Sequence, residues 1–254
     1  MAAGKRSLPE HLIAKLEQFA KLSAADKEAL GQLASQRVRT LGAREDAARE
    51  GEKPRLVNLI LSGWACRYKV LEDGRRQITA FLIPGDISDL RMFILREMDH
   101  SLGALTPLRL AEIPSDAILE LTDRHPRIAR ALWWNSLVEE AIAREWTTNL
   151  GQRSAHERMA HLLCELFLRL RGVGLAEDGA CELPMTQADL ADALGMSAVH
   201  VNRTLQEMRE SGLVTWKGKR LTIPDLGALR ATALFNPNYL HLDREGRDLD
   251  ANEG

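Results

Sequence analysis

Apolar residues between Pro9 and Leu33 recur at near-helical spacing: Leu12, Ile13, Leu16, Phe19, Leu22, Leu30 and Leu33. The series is interrupted at Ser23-Ala24-Ala25-Asp26, where Ser23 is placed to cap a second helix. From Gln36 to Ile113 the pattern shortens to strand-like runs: LVNLIL (Leu56 to Leu61), the alternating WACRYKV (Trp64 to Val70) and QITAFLI (Gln77 to Ile83). Asp73-Gly74 lies between the last two and tolerates positive φ, so these runs are expected to pair as a hairpin. Turns are expected at Ser62-Gly63 and Pro84-Gly85-Asp86. Short strands at this spacing predict a small antiparallel roll or barrel. The charged stretch GAREDAAREGEKP, Gly42 to Pro54, reads as a solvated loop.

Helical spacing returns after Pro126. With Ile128 at a heptad a position, Asn135, Ile142 and Asn149 follow at a, and Ala131, Val138 and Glu145 fall at d, flanked by Leu132 and Trp146. An asparagine at an a position costs stability but sets register and strand number. The expectation is therefore a helix over 126–152 that joins two copies of the chain through Ile128, Ala131, Leu132, Asn135, Val138, Ile142, Glu145 and Asn149. Ser154 and Glu157 then make a capping box for a further helix through Arg171, striped by Met159, Leu162, Leu163, Leu166, Phe167 and Leu170. RGVGLAEDG reads as a flexible joint.

The last third carries the chemistry. Thr186 and Asp189 form a capping box for a helix with Leu190, Ala191 and Leu194 on its apolar side, closed by Gly195. A second helix starts near Ser197, turns Val201, Leu205 and Met208 inward, and stops at Gly212. Two short helices meeting at a glycine-containing turn form a helix-turn-helix, whose second helix enters the major groove. Leu213–Trp216 and Arg220–Ile223 flank Lys217-Gly218-Lys219, a tight hairpin with a basic tip that reads as a wing.

Composition narrows the partners. The chain has 254 residues, 45% of them hydrophobic, enough for two domains with ample core. Its net charge of −2 gives no global attraction for nucleic acid, so binding must rest on a local patch. Ser197 to Arg220 supplies one, with five Lys/Arg against two Glu. No window approaches the roughly 18 apolar residues of a membrane span, and the N-terminus lacks the apolar core of a signal peptide. A cytoplasmic protein with no membrane partner is expected. Cys66, Cys164 and Cys181 are scattered, without the close spacing of zinc or iron–sulfur sites.

The order of these elements, and QADLADALGMSAVHVNRTLQEMRESGLV most specifically, resembles the Crp/Fnr family of bacterial transcription regulators. Nearly the whole chain is covered. PGDISDL and MDHSLGALTP make it look most like the FixK-type branch. The resemblance implies an α+β fold: a cyclic-nucleotide-binding-like β-roll sensor over 1–125, a dimerisation helix over 126–152, a winged helix-turn-helix over 153–235, and a tail over 236–254. It implies a homodimer on palindromic double-stranded DNA, with RNA polymerase as a partner if the protein is an activator. By position, Arg203 is the arginine that reads guanine, His200 and Asn202 lie where neighbouring base or phosphate contacts are made, and Ser197 sits at the helix start. Thr186, Gln187, Lys217 and Lys219 complete the expected DNA-contacting set. The chain departs from the family pattern at Ala198 and Val199, the latter standing where many members carry an acidic base-reading residue. Val199 can instead touch a thymine methyl.

The sensor half also departs. His100-Ser101 replaces the Arg-Ser pair that holds a cyclic nucleotide's phosphate, and Asp89-Leu90 stands where Gly-Glu is expected. No cofactor is expected: cyclic AMP, haem and an iron–sulfur cluster all lack their ligand patterns, and the small-molecule effector is either unknown or absent. Asp99, His100 and Ser101 are adjacent on one backbone and cannot fold into a hydrolytic triad, so an enzyme is not expected. The alternative reading is a ligand-binding or protein-interaction module that does not bind DNA specifically.

Overall fold

The computed structural model describes residues 9–88, 90 and 94–242, which fall into two compact units. The first holds residues 9–67 and 81–139; the second holds Tyr68–Ala80 and Glu140–Leu240.

In the first unit, α1 (Glu10–Leu16) and α2 (Ala24–Ser35) precede the strands. Ser23 caps α2 in a complete capping box with Asp26, and the Nδ1 of His125 lies 2.9 Å from the same carboxylate. Burial works against the charge on Asp26, yet hydrogen bonds from Ser23 and His125 hold its carboxyl below the usual range. The strands are β1 (Val38–Leu41), β2 (Asp46–Ala48), β3 (Leu56–Ser62), β4 (Ala65–Val70), β5 (Arg76–Leu82), β6 (Ile87–Ser88), β7 (Ser101–Ala104) and β8 (Leu108–Pro114), of which the outer part of the β4–β5 hairpin, Tyr68–Ala80, is counted with the second unit. They form two four-stranded sheets, ordered β1-β8-β3-β6 and β2-β7-β4-β5. In the first, Val57 faces Ile113 and Leu59 faces Ala111 across an antiparallel pair. Leu41, Ile60, Ala65, Leu82, Leu102, Leu108 and Leu110 close a core, with Arg109 between the last two turned outward. Gly63 bends the chain between β3 and β4 at φ 87°, where a Cβ would stand 2.3 Å from the carbonyl oxygen of Pro107. No other residue fits there. The stretch expected as a solvated loop contains β2, paired with β7, because Ala47 and Ala48 pack on that core.

A short helix, α3 (Ser115–Arg124), leads into the long helix α4 (Pro126–Gln152). The face of α4 that the heptad reading gave to a second copy is largely taken up inside the protomer. Ile128, Ala131, Leu132, Asn135, Val138 and Asn149 are buried within the protomer, and Ile142 and Glu145 are half-buried. The chain's own core takes this face first. Trp134 stacks on Phe19 with ring centroids 5.7 Å apart, Asn135 Nδ2 donates to Glu139, and Asn149 Nδ2 donates to the carbonyl of Arg158. The most exposed large apolar residues of α4 are Trp133, 59% exposed, and Leu137, 62% exposed, with Leu150 at 36% near its end.

The second unit is built around α5 (Ala155–Gly172), capped by Ser154 and Glu157 as expected. The stretch expected to be a flexible joint is ordered as β9 (Ala176–Glu177), turning through Asp178 and Gly179 into β10 (Ala180–Glu182). α6 (Gln187–Leu194), α7 (Ala198–Glu210), β11 (Thr215–Lys217), β12 (Arg220–Thr222) and α8 (Leu226–Thr232) follow. The sheet order is β11-β12-β10-β9.

A short 3-10 helix, Pro237–Leu240, ends the unit within the stretch expected to be a tail. It is held by a buried polar group. The Glu165 carboxylate accepts from Trp146 Nε1 at 3.1 Å, Tyr239 Oη at 3.0 Å and Arg169 Nη1 at 3.3 Å. Burial pushes the Glu165 carboxyl up against the opposing pull of Arg169. Among the described residues no helix is long and apolar enough to cross a membrane.

Candidate nucleic-acid interface

α6 and α7 begin on side-chain caps that the local sequence dictates. The Thr186 hydroxyl accepts from the N–H of Asp189, and Asp189 returns two bonds to Thr186, at 2.9 Å from its N–H and 2.7 Å from its Oγ1. Gly195 ends α6 in the left-handed region, φ 61°, and donates to the carbonyl of Ala191. After one further residue, Ser197 caps α7 by accepting from the N–H of His200 at 3.2 Å. This first turn contains no acidic residue, so the positive end of the helix dipole stays available to an anion.

Val201, Thr204, Leu205 and Met208 anchor α7 in the core, and the opposite face is open. Val199 is 82% exposed, Asn202 and Arg203 are exposed, and His200 is half-buried. Arg203 Nε lies 3.9 Å from Glu207 Oε1, a long pair on the surface that is easily exchanged for another acceptor. Asn202 Nδ2 donates to Gln187 Oε1 at 3.3 Å, linking the starts of the two helices. Thr186, Gln187, Ser197 and Ala198 are all exposed around this face.

The wing is braced at both ends. The N–H of Leu183 donates to the carbonyl of Lys219 and the N–H of Ile223 to that of Gly179, both at 2.7 Å. Lys217 and Lys219 flank Gly218, φ 59°, at an exposed tip. Arg209 Nη2 reaches the carbonyl of Trp216 at 3.5 Å. Arg209 and Arg220 entered the sequence reading only as charge, although both are exposed in this unit. Spacing from the recognition helix alone did not single them out.

The sensor positions are differently disposed. Ser101 is buried, and its hydroxyl accepts from the N–H of Glu50 at 3.0 Å. His100 Nδ1 lies 2.7 Å from Asp99 Oδ1, and Asp89 lies outside the described residues. The three cysteines are buried thiols. Burial pushes Cys164 and Cys181 up to about 12, so neither carries appreciable thiolate near neutrality.

Comparison with known proteins accounts for both halves. A model of the Crp-like helix-turn-helix domain matches residues 157–232, and one of the cyclic nucleotide-binding domain matches residues 38–125. The nitrogen fixation regulation protein FixK of Azorhizobium caulinodans is 31% identical over 175 residues, 68% of this chain and 70% of that protein. The transcriptional activator protein FnrL of Cereibacter sphaeroides is 29% identical over 180 residues, 68% of this chain and 70% of that protein. The structure of FixK2 from Bradyrhizobium japonicum superimposes with a TM-score of 0.69 at 26% identity, covering 77% of this chain and 96% of that one. A capped recognition helix, a basic wing and the likeness to FixK, FnrL and FixK2 lead to one assignment: the chain belongs to the Crp/Fnr family of DNA-binding transcription regulators, and to its FixK type.

Proposed function

We propose that the protein acts in the cytoplasm as a homodimer on a palindromic DNA site, reading bases with Val199, Asn202 and Arg203. Thr186, Gln187, Ser197, Ala198, His200, Lys217 and Lys219 hold the backbone around them. The observation that carries this reading is the open face of α7, three exposed side chains on a helix whose other face is fully anchored. Arg203 suits the paired acceptors of guanine, Asn202 those of adenine, and Val199 the thymine methyl. The second copy docks on the exposed Trp133 and Leu137 of α4, since apolar side chains this open on a helix otherwise packed into its own chain seek cover. The sensor half works without cyclic AMP, haem or an iron–sulfur cluster. In support, His100 stands where the phosphate-holding arginine is expected, and its Nδ1 lies 2.7 Å from Asp99 Oδ1, so that position presents no guanidinium to a phosphate. Contact with RNA polymerase follows if the protein, like the transcriptional activator FnrL, activates transcription.

Selection of bound DNA from a random-sequence pool by the full chain tests this directly. The expected product is an inverted repeat with half-sites about one helical turn, roughly 10 bp, apart, bound with a steep loss of affinity as salt rises. A motif without two-fold symmetry, or binding indifferent to salt, would overturn it.

A further inference from the structure

The outer part of the β4–β5 hairpin, Tyr68–Ala80, belongs to the same compact unit as the DNA-reading helices. Two of its residues grip α6. Arg76 Nη1 lies 3.5 Å from Asp189 Oδ1 and 3.5 Å from Asp192 Oδ2, with its guanidinium 4.4 Å over the Tyr68 ring. Gln77 Nε2 donates to the carbonyl of Ala193 at 3.3 Å. The side chain of Asp189 is 2% exposed and its two oxygens are divided: Oδ2 makes the capping box with Thr186, and Oδ1 faces Arg76. Asp189 and Asp192 share one helix face three residues apart, so without a cation two carboxylates would stand together, one of them buried. The guanidinium relieves the repulsion between the two, and the Tyr68 ring covers one of its faces.

The gripped helix is the one that opens on the DNA face. Thr186, held by Asp189, begins α6; Gln187 is its first residue and accepts from Asn202 of α7. Arg76 is thus connected through Asp189 and the cap to the start of the base-reading surface. We propose that Arg76 is a positioning residue for DNA recognition, with Gln77 beside it: the hairpin sets the stance of α6, and with it α7, that lets two copies engage both half-sites at once. The proposal rests on the palindrome reading given above. A rigid stance matters most when two modules must meet a set spacing, and little when one module binds alone.

The test uses the full chain carrying Arg76→Ala, Gln77→Ala or Asp192→Asn. Binding to the selected palindrome and to an isolated half-site is followed by fluorescence anisotropy, and melting is recorded for each variant. Arg76→Ala is expected to weaken palindrome binding about tenfold or more while half-site binding changes less than about threefold. Gln77→Ala removes one hairpin bond without stranding a buried charge, so it should shift the same ratio in the same direction by less. Combining Arg76→Ala with Asp192→Asn should add little to Arg76→Ala alone, because the partners belong to one clamp. An unchanged palindrome to half-site ratio in both Arg76→Ala and Gln77→Ala overturns the proposal, as does a loss of both activities in step with melting. If the wild-type chain itself shows no preference for the palindrome, the homodimer reading fails first.

Discussion

At the scale of single residues, recognition turns on Arg203 and Val199. Among the described residues Arg203 pairs with Glu207 across a long surface contact, so handing its guanidinium to guanine costs little within the protein. Arg203→Ala should therefore cost about 1–3 kcal/mol on the preferred site and relax one base pair of each half-site, whereas Lys219→Ala should weaken all DNA sequences alike and reduce the salt slope by about one. Competition gel shifts with specific and random duplexes separate the two, and equal losses on both duplexes for both variants would remove the assigned roles. These residues were legible in advance because they depend on local rules. A cap three residues before the N–H it accepts from, a glycine at a left-handed stop and an apolar spacing of three or four residues are all written in neighbouring positions. The same rules place Val199 in solvent without saying which base it meets, since the family's acidic reader is gone.

At the scale of elements, the interior of the second unit holds ionisable groups that no local pattern announces. His161 lies on α5 outside the apolar stripe read from the sequence, yet it is 1% exposed, with its ring 4.8 Å from Phe235 and 5.9 Å from Tyr239. Glu145 Oε1 lies 3.2 Å from its Nε2, and Arg153 binds that same oxygen at 2.7 Å. Burial, aided by the positive charge of Arg153, lowers His161 from 6.5 to about 3. The unfolded chain therefore takes up a proton that the folded chain refuses. The contribution of His161 to stability is whole above about pH 6.5 and falls by about 1.4 kcal/mol for each pH unit below it, until the folded pKa is reached. Glu165, shifted upward, acts in the opposite sense, so only a difference measurement isolates the histidine. Denaturant unfolding of wild type and His161→Phe at pH 7.5 and about 5.5 should show the wild type losing more stability on acidification, by about 1.4 kcal/mol. Equal losses would show that His161 is not buried in its neutral form.

The same long-range logic explains which elements the sequence left unread. β2 and the 3-10 helix at Pro237–Leu240 are short, polar or close to turns, and each exists because a distant partner completes it, β7 and Glu165 respectively, while β9 is a two-residue strand that pairs with its neighbour β10. Periodicity within a dozen residues cannot show a partner fifty residues away. Nor could it show that Arg76, far from α6 in sequence, pairs with two carboxylates of that helix within one compact unit.

At the scale of the whole molecule, the decisive question is which face of α4 meets a second copy. Heptad arithmetic chose the face with Ile128, Asn135 and Val138, because it is apolar and punctuated by asparagine as dimer helices are. That arithmetic treats the helix as isolated. In the folded chain those positions are filled by the protomer's own packing, and the face left open carries Trp133 and Leu137 with Glu140 and Arg144 further along it. The two faces predict opposite phenotypes. Glutamate at both Trp133 and Leu137 replaces the apolar cover of the proposed seam with four charges across two copies, each lost side chain forgoing about 1.5–3 kcal/mol of burial. The double variant should sediment as a monomer, melt within a few degrees of wild type, and lose palindrome affinity while keeping weak, salt-sensitive binding. Leu132→Ala, on the inward face, should instead lower the stability of the protomer by about 2–5 kcal/mol while leaving the folded fraction dimeric. A double variant that remains a dimer would return the seam to another surface, and a Leu132→Ala protein that is stable but monomeric would restore the heptad face.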